Sequence, residues 1–503
     1  MAKVLFVISP SDDLIVQAVS RFLFALLPTL RLTLLSACCH RLAAVLLLAC
    51  SASVLSPCVL ADAQGVATPS QLAVQVQNTS KLAYTYIVEH STSDVKFKSL
   101  KALKRAVSSS PSSIESNSLI VKNQSLLHQH NDDVDVFFFL KYLLDNNLYW
   151  AATELLQAIK LENDQGLTAQ GNYYAGEYFF SRGEWNKAYQ YLAIGNHLRS
   201  ELHAEHANLM MGVTQQRLKN HRQAISFYKA IKPKSRFYHY AQLNMAIVSI
   251  RQGWWADSYR IISSLLENLD HYENRKFVNR TYLVLGYGML EREYYRDAKQ
   301  AFSNIEKNSR FFQRAMLGLG LSALGTEEFA YAEKILSLLK SQSDKTLEVD
   351  EAPLLYAYTV EQSGDDQAAV KEYRKALLYY QSRSKVMAEL SEPSTEFDSK
   401  FMQAVSNKKK YLAALDALFD ISIHSDSFAA QDYQSLEQLQ SHFNTARITK
   451  YPGASLGLLI KQYQKLFLEQ AEELLLVHRT AIASYENQSR YAIARLLDRN
   501  LVK

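Results

Sequence analysis

The stretch "NYYAGEYFFSRGEWNKAYQYLAIGNHL" (172–198) places a glycine at 176, an alanine twelve residues later at 188 and a leucine four residues after that at 192. Slid along the chain, the triplet recurs as Gly212, Ala224, Tyr228 and as Ala246, Ser258, Ile262. It recurs again as Gly286, Ala298, Phe302, as Gly320, Ala332, Leu336 and as Ala357, Ala369, Tyr373. The internal spacing never changes, while the copies stand 36, 34, 40, 34 and 37 residues apart. A weaker copy, Leu140, Ala152, Leu156, lies one 36-residue step before Ala188. Fixed spacing inside a period of 34–40 residues is the mark of a structural repeat, and a non-repeating bundle has no reason to keep it.

The spacing has a steric meaning. Two antiparallel helices joined by a tight turn approach closely only where side chains are small, so Gly176 and Ala188 are expected to meet. The residue four after the alanine packs on the same face one turn on. Gly183, Gly253 and Gly364 fall at the turn, where a left-handed backbone favours glycine. One such hairpin cannot bury its apolar face alone, but a stack of them can.

These units resemble tetratricopeptide repeats, helix pairs of about 34 residues with a small-aromatic-small signature. The resemblance covers about 134–381 and implies an all-α, right-handed helical-hairpin solenoid. The family's tryptophan near the start of the first helix and its proline near the end of the second are missing, so related helical-hairpin repeats share the reading. In that family the first helix of each pair lines a concave groove. Counting from the small residue, the implied lining is Tyr173 and Glu177, Leu209 and Val213, Leu243 and Ile247, Leu283 and Tyr287, Leu317 and Leu321, Leu354 and Tyr358. Members that clamp a peptide carboxylate carry Lys and Asn there, and this chain does not. Arg217, Arg251, Arg280 and Arg314 fall at the groove edges. The expectation is a basic rim around a bare apolar trough that binds a protein segment, or that is covered by the chain's own last helix, placed at 455–498.

Composition narrows the function. Of 503 residues 48% are hydrophobic and 21% charged, which is the balance of a folded protein. A net charge of +5 is too small and too dispersed for a nucleic-acid binder. No phosphate loop, nucleophile elbow or HExxH helix occurs. "HQHND" (128–132) reads as a solvated loop, and "HAEH" (203–206) puts His203 and His206 on one helix face without further ligands. No catalytic residue, metal or cofactor is expected. An enzyme site in the C-terminal region remains the alternative of another class.

The flanks carry the remaining signals. All four cysteines, Cys38, Cys39, Cys50 and Cys58, lie in the first 58 residues. Residues 1–63 contain a basic residue, Arg41, an apolar stretch from Leu42 and the ending Ala61-Asp62-Ala63, the layout of a secretory signal with an A-x-A site. Cleavage there leaves a cysteine-free chain suited to an oxidising compartment, the periplasm. "LLAC" (47–50) offers a lipoprotein reading through Cys50, and an uncleaved anchor is a third. Residues 64–133 read as an N-terminal segment with a helix or strand pair at 81–105 and a Ser-rich linker, "SSSPSSIESNS" (108–118). A C-terminal helical region, 401–503, starts with helices near 401–420 and 428–445. It ends in a long helix with an apolar stripe of Ile460, Tyr463, Phe467, Leu474, Val477 and Ala481.

Overall fold

The computed structural model describes residues 95–389, apart from short breaks at 111–112, 146–147, 162–163, 270–273 and 344, together with residues 476–499. Among the described residues every regular element is helical. Three helices come first: α1 (Leu100–Ser109), α2 (Ser113–Lys122) and α3 (Gln124–Gln129). Seven hairpins follow in order among those residues. They are α4/α5 (Val136–Asp145, Tyr149–Leu161), α6/α7 (Gln165–Ser181, Trp185–Ala193), α8/α9 (Glu201–Arg217, His221–Lys229) and α10/α11 (Tyr238–Arg251, Trp255–Asn268). The last three are α12/α13 (Arg275–Glu291, Tyr295–Ser303), α14/α15 (Phe312–Gly325, Phe329–Lys340) and α16/α17 (Leu347–Gln362, Asp366–Glu389). A final helix, α18, occupies 476–499.

Each first helix (A helix) packs on its own second helix (B helix), and the A helices of successive hairpins from α6 to α16 also touch one another. The array is therefore a helical-repeat solenoid, with each unit contacting its neighbours in the chain. Every alanine or serine of the repeated triplet is fully buried: Ala152, Ala188, Ala224, Ser258, Ala298, Ala332 and Ala369 all stand at 0% exposure. The close approach differs in one detail from the expectation. Each glycine makes room for the third residue of the triplet rather than for the alanine. A Cβ on Gly176 would sit 2.5 Å from Leu192 Cγ, and one on Gly320 2.7 Å from Leu336 Cδ2. Gly212 lies against the Tyr228 ring in the same way. The Phe302 ring is held between Gly286 of its own hairpin and Gly318 of the next. Glycine is thus the socket for a large side chain of the B helix, and the alanine lets the two backbones close over it.

The hairpin turns share one geometry. The residue seven after each small position has positive φ: Gly183 (72°), Lys219 (65°), Gly253 (75°), Glu293 (62°), Glu327 (59°) and Gly364 (95°). In five of the six, the next amide reaches back to close the A helix, as Glu184 N does to Phe179 O at 3.0 Å and Asn220 N to Gln215 O at 2.8 Å. Those six-residue loops are the left-handed helix stop expected for glycine, and half of the turns use Lys or Glu instead.

The N-terminal segment departs from the sequence reading. Residues 113–122 form helix α2, not a linker. Ser116, Asn117 and Ser118 are buried, and Ser116 Oγ donates to Val107 O at 3.1 Å. Leu119, Ile120 and Val121 join Leu103 and Phe139 in the first core cluster, so apolar burial overrides the Ser-rich composition. Within "HQHND", His128 belongs to α3 and Asn131 is buried, its Nδ2 donating to Ala158 O at 3.0 Å. The segments 1–63, 64–94, 401–420 and 428–445, Cys50 and the part of the last helix before residue 476 lie outside the described residues.

Helix α18 packs on the C-terminal end of the array, against α16 and α17. Its buried positions are His478, Ile482, Ser489, Ala492 and Leu496, at steps of four, seven, three and four residues, one face of a helix. That face is rotated by one residue from the expected stripe: Val477 is 53% exposed and Ala481 only half-buried.

Candidate partner-binding face

The implied groove lining does not form a bare trough. Ten of its twelve positions are buried: Tyr173, Leu209, Val213, Leu243, Ile247, Leu283, Tyr287, Leu317, Leu321 and Leu354. Glu177 and Tyr358 are half-buried. The correction has a geometric cause. Residues three before and one after the small position turn toward the neighbouring A helix as much as toward the inner side of the array. Tyr173 of α6 stacks on His203 of α8 at 4.5 Å, and its hydroxyl lies 2.7 Å from His206 Nδ1. Tyr287 of α12 donates to Arg314 O of α14 at 2.9 Å. The aliphatic members from Leu243 to Leu321 belong to the second core cluster, and Leu209 and Val213 to the first.

The histidines of "HAEH" are accounted for by the same packing. His203 Nδ1 meets the Gln170 amide at 2.9–3.0 Å. His206 is sandwiched between Tyr173 and Phe237, the latter stacked at 4.8 Å. Burial, with Arg236 nearby, pushes His206 down to about 4, so this ring is neutral at physiological pH.

The four edge arginines all keep partial exposure. They come one from each of four successive A helices: Arg217 from α8, Arg251 from α10, Arg280 from α12 and Arg314 from α14. Arg217 lies over the Trp185 ring at 5.7 Å. Arg314 Nε bonds Glu348 Oε1 at 2.8 Å, and although burial works to raise Glu348, this arginine holds it below the usual carboxylate range. Arg280 is different. Its Nη2 is shut from solvent without a hydrogen-bond partner. Burial, with Arg310 and Arg217 adding repulsion, lowers its affinity for its proton to about 10. Arg217, Arg280 and Arg251 also act together on the buried Tyr228 hydroxyl, which donates to Gln216 Oε1 at 2.9 Å. At the other end of the row Glu177 is raised by burial, and Lys141 Nζ, 3.8 Å away, opposes that.

Arg310 was missed in the sequence, yet a signal existed. Ser235-Arg236-Phe237 and Ser309-Arg310-Phe311 both begin eleven residues before the small position. In each the serine hydroxyl accepts from the phenylalanine amide at 3.2 Å, the phenylalanine is buried, and the arginine lies over its ring at 4.8–4.9 Å. The motif starts the next A helix and carries a guanidinium to the same side. This assembly offers cations, hydroxyls and amides for holding a partner. No group of three or more metal-ligating side chains occurs among the described residues.

No family model matches the sequence, and the search of curated proteins found no match. Among solved structures, the apo form of RapI aligns at 12% identity and a TM-score of 0.42, covering 69% of this chain and 97% of that one. A circular tandem repeat protein with novel repeat topology aligns at 12% identity and a TM-score of 0.11, covering 86% and 98%. Likenesses this distant add nothing to the helical-repeat fold that the packing itself establishes.

Proposed function

We propose that the chain is a non-catalytic scaffold or adaptor of the tetratricopeptide type, which holds a protein segment along the inner side of its A helices. The observation that carries this reading is the arginine row: Arg217 of α8, Arg251 of α10, Arg280 of α12 and Arg314 of α14 are each partly exposed residues above a packed apolar layer, with Arg280 Nη2 shut from solvent. Apolar neighbours supply affinity and the arginines fix orientation. A photo-crosslinking residue at Arg251 tests it, with the same residue at Lys334, an exposed position on α15, as control. Capture of one protein from position 251 only, lost when Arg217, Arg280 and Arg314 are all changed to Gln, is the expected result. Equal capture from both positions contradicts it.

We further propose that this scaffold works in the cell envelope of a bacterium, exported by residues 1–63. The A-x-A ending at Ala63 and the absence of cysteine after Cys58 support export. Amino-terminal sequencing of the mature protein decides it. A start at Gln64 fits signal cleavage, a lipidated Cys50 selects an outer-membrane lipoprotein of an assembly or secretion complex, and an intact Met1 in a soluble cytosolic fraction contradicts export.

A further inference from the structure

Two of the hairpin turns carry a residue that the turn itself does not need. Nine residues after the small position, Trp185, Trp255, Tyr295 and Phe329 are partly buried and pack on the core. Those rings are structural: a Cβ on Gly288 of α12 would sit 2.9 Å from the Trp255 ring, and Gly325 of α14 makes room for Tyr295. One residue earlier stands the N-cap of each B helix, a place that favours short polar side chains. Glu184, Asn220 and Glu328 occupy it in α7, α9 and α15. In α11 and α13 it holds Trp254 and Tyr294, whose side chains make no capping bond and which are 41% and 50% exposed. Nor do these turns depend on the rings, since the backbone closes them, Trp254 N donating to Ser249 O at 2.8 Å and Tyr294 N to Met289 O at 2.9 Å. A local rule broken in two successive turns, without structural return, points to a binding role.

The two turns form one surface. Arg292 Nη2 donates to Gly253 O at 2.9 Å and ties them together. Tyr294 lies 6.3 Å from Trp255, and Trp255 lies 6.1 Å from Tyr259, itself 48% exposed; the rings are inclined at 44° and 39°. Inclined rings at such steps leave shallow slots between them. The charges around them cancel: Arg251, Arg260, Arg292 and Arg296 stand against Asp257, Glu291, Glu293 and Asp297, and Arg260 is bonded to Asp257 at 2.9 Å. A balanced surface selects no charged partner and exerts no pull on an anionic membrane. What it offers is apolar ring faces with donors at their edges, the indole N–H of Trp254 and the hydroxyls of Tyr259 and Tyr294. A polyproline II segment is the complement, with apolar pyrrolidine rings, a turn about 9 Å long and carbonyls that no internal hydrogen bond satisfies. We propose that Trp254, Tyr259 and Tyr294, grouped around Trp255, are a docking surface for a proline-rich segment in the polyproline II conformation. It rests on the rings of the hairpin turns and not on the arginine row, so either stands if the other fails.

The test follows the anisotropy of a fluorescent decaproline peptide titrated with the full chain. Saturable binding is expected, and none of a Gly-Ser peptide of equal length. Trp254→Asn with Tyr294→Asn gives these turns the N-cap residue of the α8/α9 turn. The pair should weaken decaproline binding at least tenfold and leave the melting temperature unchanged or raised. Arg280→Gln with Arg314→Gln should leave the binding as it was. No binding, binding untouched by the Asn pair, or binding lost with the Gln pair would each overturn the proposal. So would an Asn variant that melts at a lower temperature, because its rings would then be structural. Binding of cellohexaose or of phosphatidylcholine vesicles in place of decaproline would overturn it too.

Discussion

Gly212 and Tyr228 show how one residue sets the repeat. The glycine has no side chain because the tyrosine ring fills the place where a Cβ would be, and Ala224 lets the two helices close over that contact. Replacing Ala224 by Leu should cost about 1–3 kcal/mol, read from urea unfolding, because the site has no exposure and cannot expand. The turns yield a prediction of opposite sign. Lys219, Glu293 and Glu327 hold the left-handed conformation that glycine holds in three sister turns. A side chain there costs about 1–2 kcal/mol, offset in part by the greater entropy of an unfolded glycine. Changing any of the three to Gly should therefore stabilise the chain by roughly 0.5–1 kcal/mol. Gly364→Ala should destabilise it by about as much, since a Cβ there meets nothing within 4 Å and only the backbone conformation is at issue. These triplets and turns were legible because close approach admits few residue types. The three turn residues without glycine were not, because Lys and Glu do not announce a left-handed backbone.

At the scale of the helix, legibility fell where burial is all round. An A helix touches its own B helix, the B helix before it and two A helices, so it is apolar on most sides and its periodicity does not point to a groove. That is why Leu243, Leu283 and Leu317 were expected at an open face and lie in the core. Helix α18 shows the converse error, since its buried face includes His478 and Ser489 and a purely apolar stripe selects the wrong side. Its docking should depend on pH. Burial, then the Glu348 charge, raises Glu351 from 4.5 to about 8. The groups around it are Glu348 of α16, Tyr287 of α12, Tyr380 of α17 and Tyr485 of α18, with Asp350 and its partners His478, Tyr379 and Arg383 beside them. If undocking restores Glu351 to its ordinary value, its contribution to docking is complete below about pH 4.5 and is lost as pH rises to about 8. Asp350 works the other way. Burial tends to raise it, but its bonds from His478, Arg383 and Tyr379 prevail and hold it low, so its contribution is lost only in strong acid. Amide exchange corrected for intrinsic rates should show residues 476–499 better protected at pH 5 than at pH 8. Equal protection contradicts the assignment of Glu351 to this contact.

The whole molecule is a row in which neighbours in the chain are neighbours in space, and the function proposed for it is recognition along its inner side. Composition and the cysteine-poor length excluded some classes of activity but named no partner, because a groove's target is encoded in exposed side chains that differ from copy to copy. The central claim is that stability and shape are assembled unit by unit. Excising residues 235–274, the 40 residues from the Ser-Arg-Phe turn before α10 to the residue before α12, joins Lys234 to Arg275 in the register of the repeat. The measurement is circular dichroism of the excised chain through thermal unfolding. A row of nearest-neighbour units should keep its helicity per residue and melt cooperatively at a lowered temperature. Loss of helical signal, or a melt without a transition, would contradict the solenoid and point to a closed bundle whose core depends on every helix.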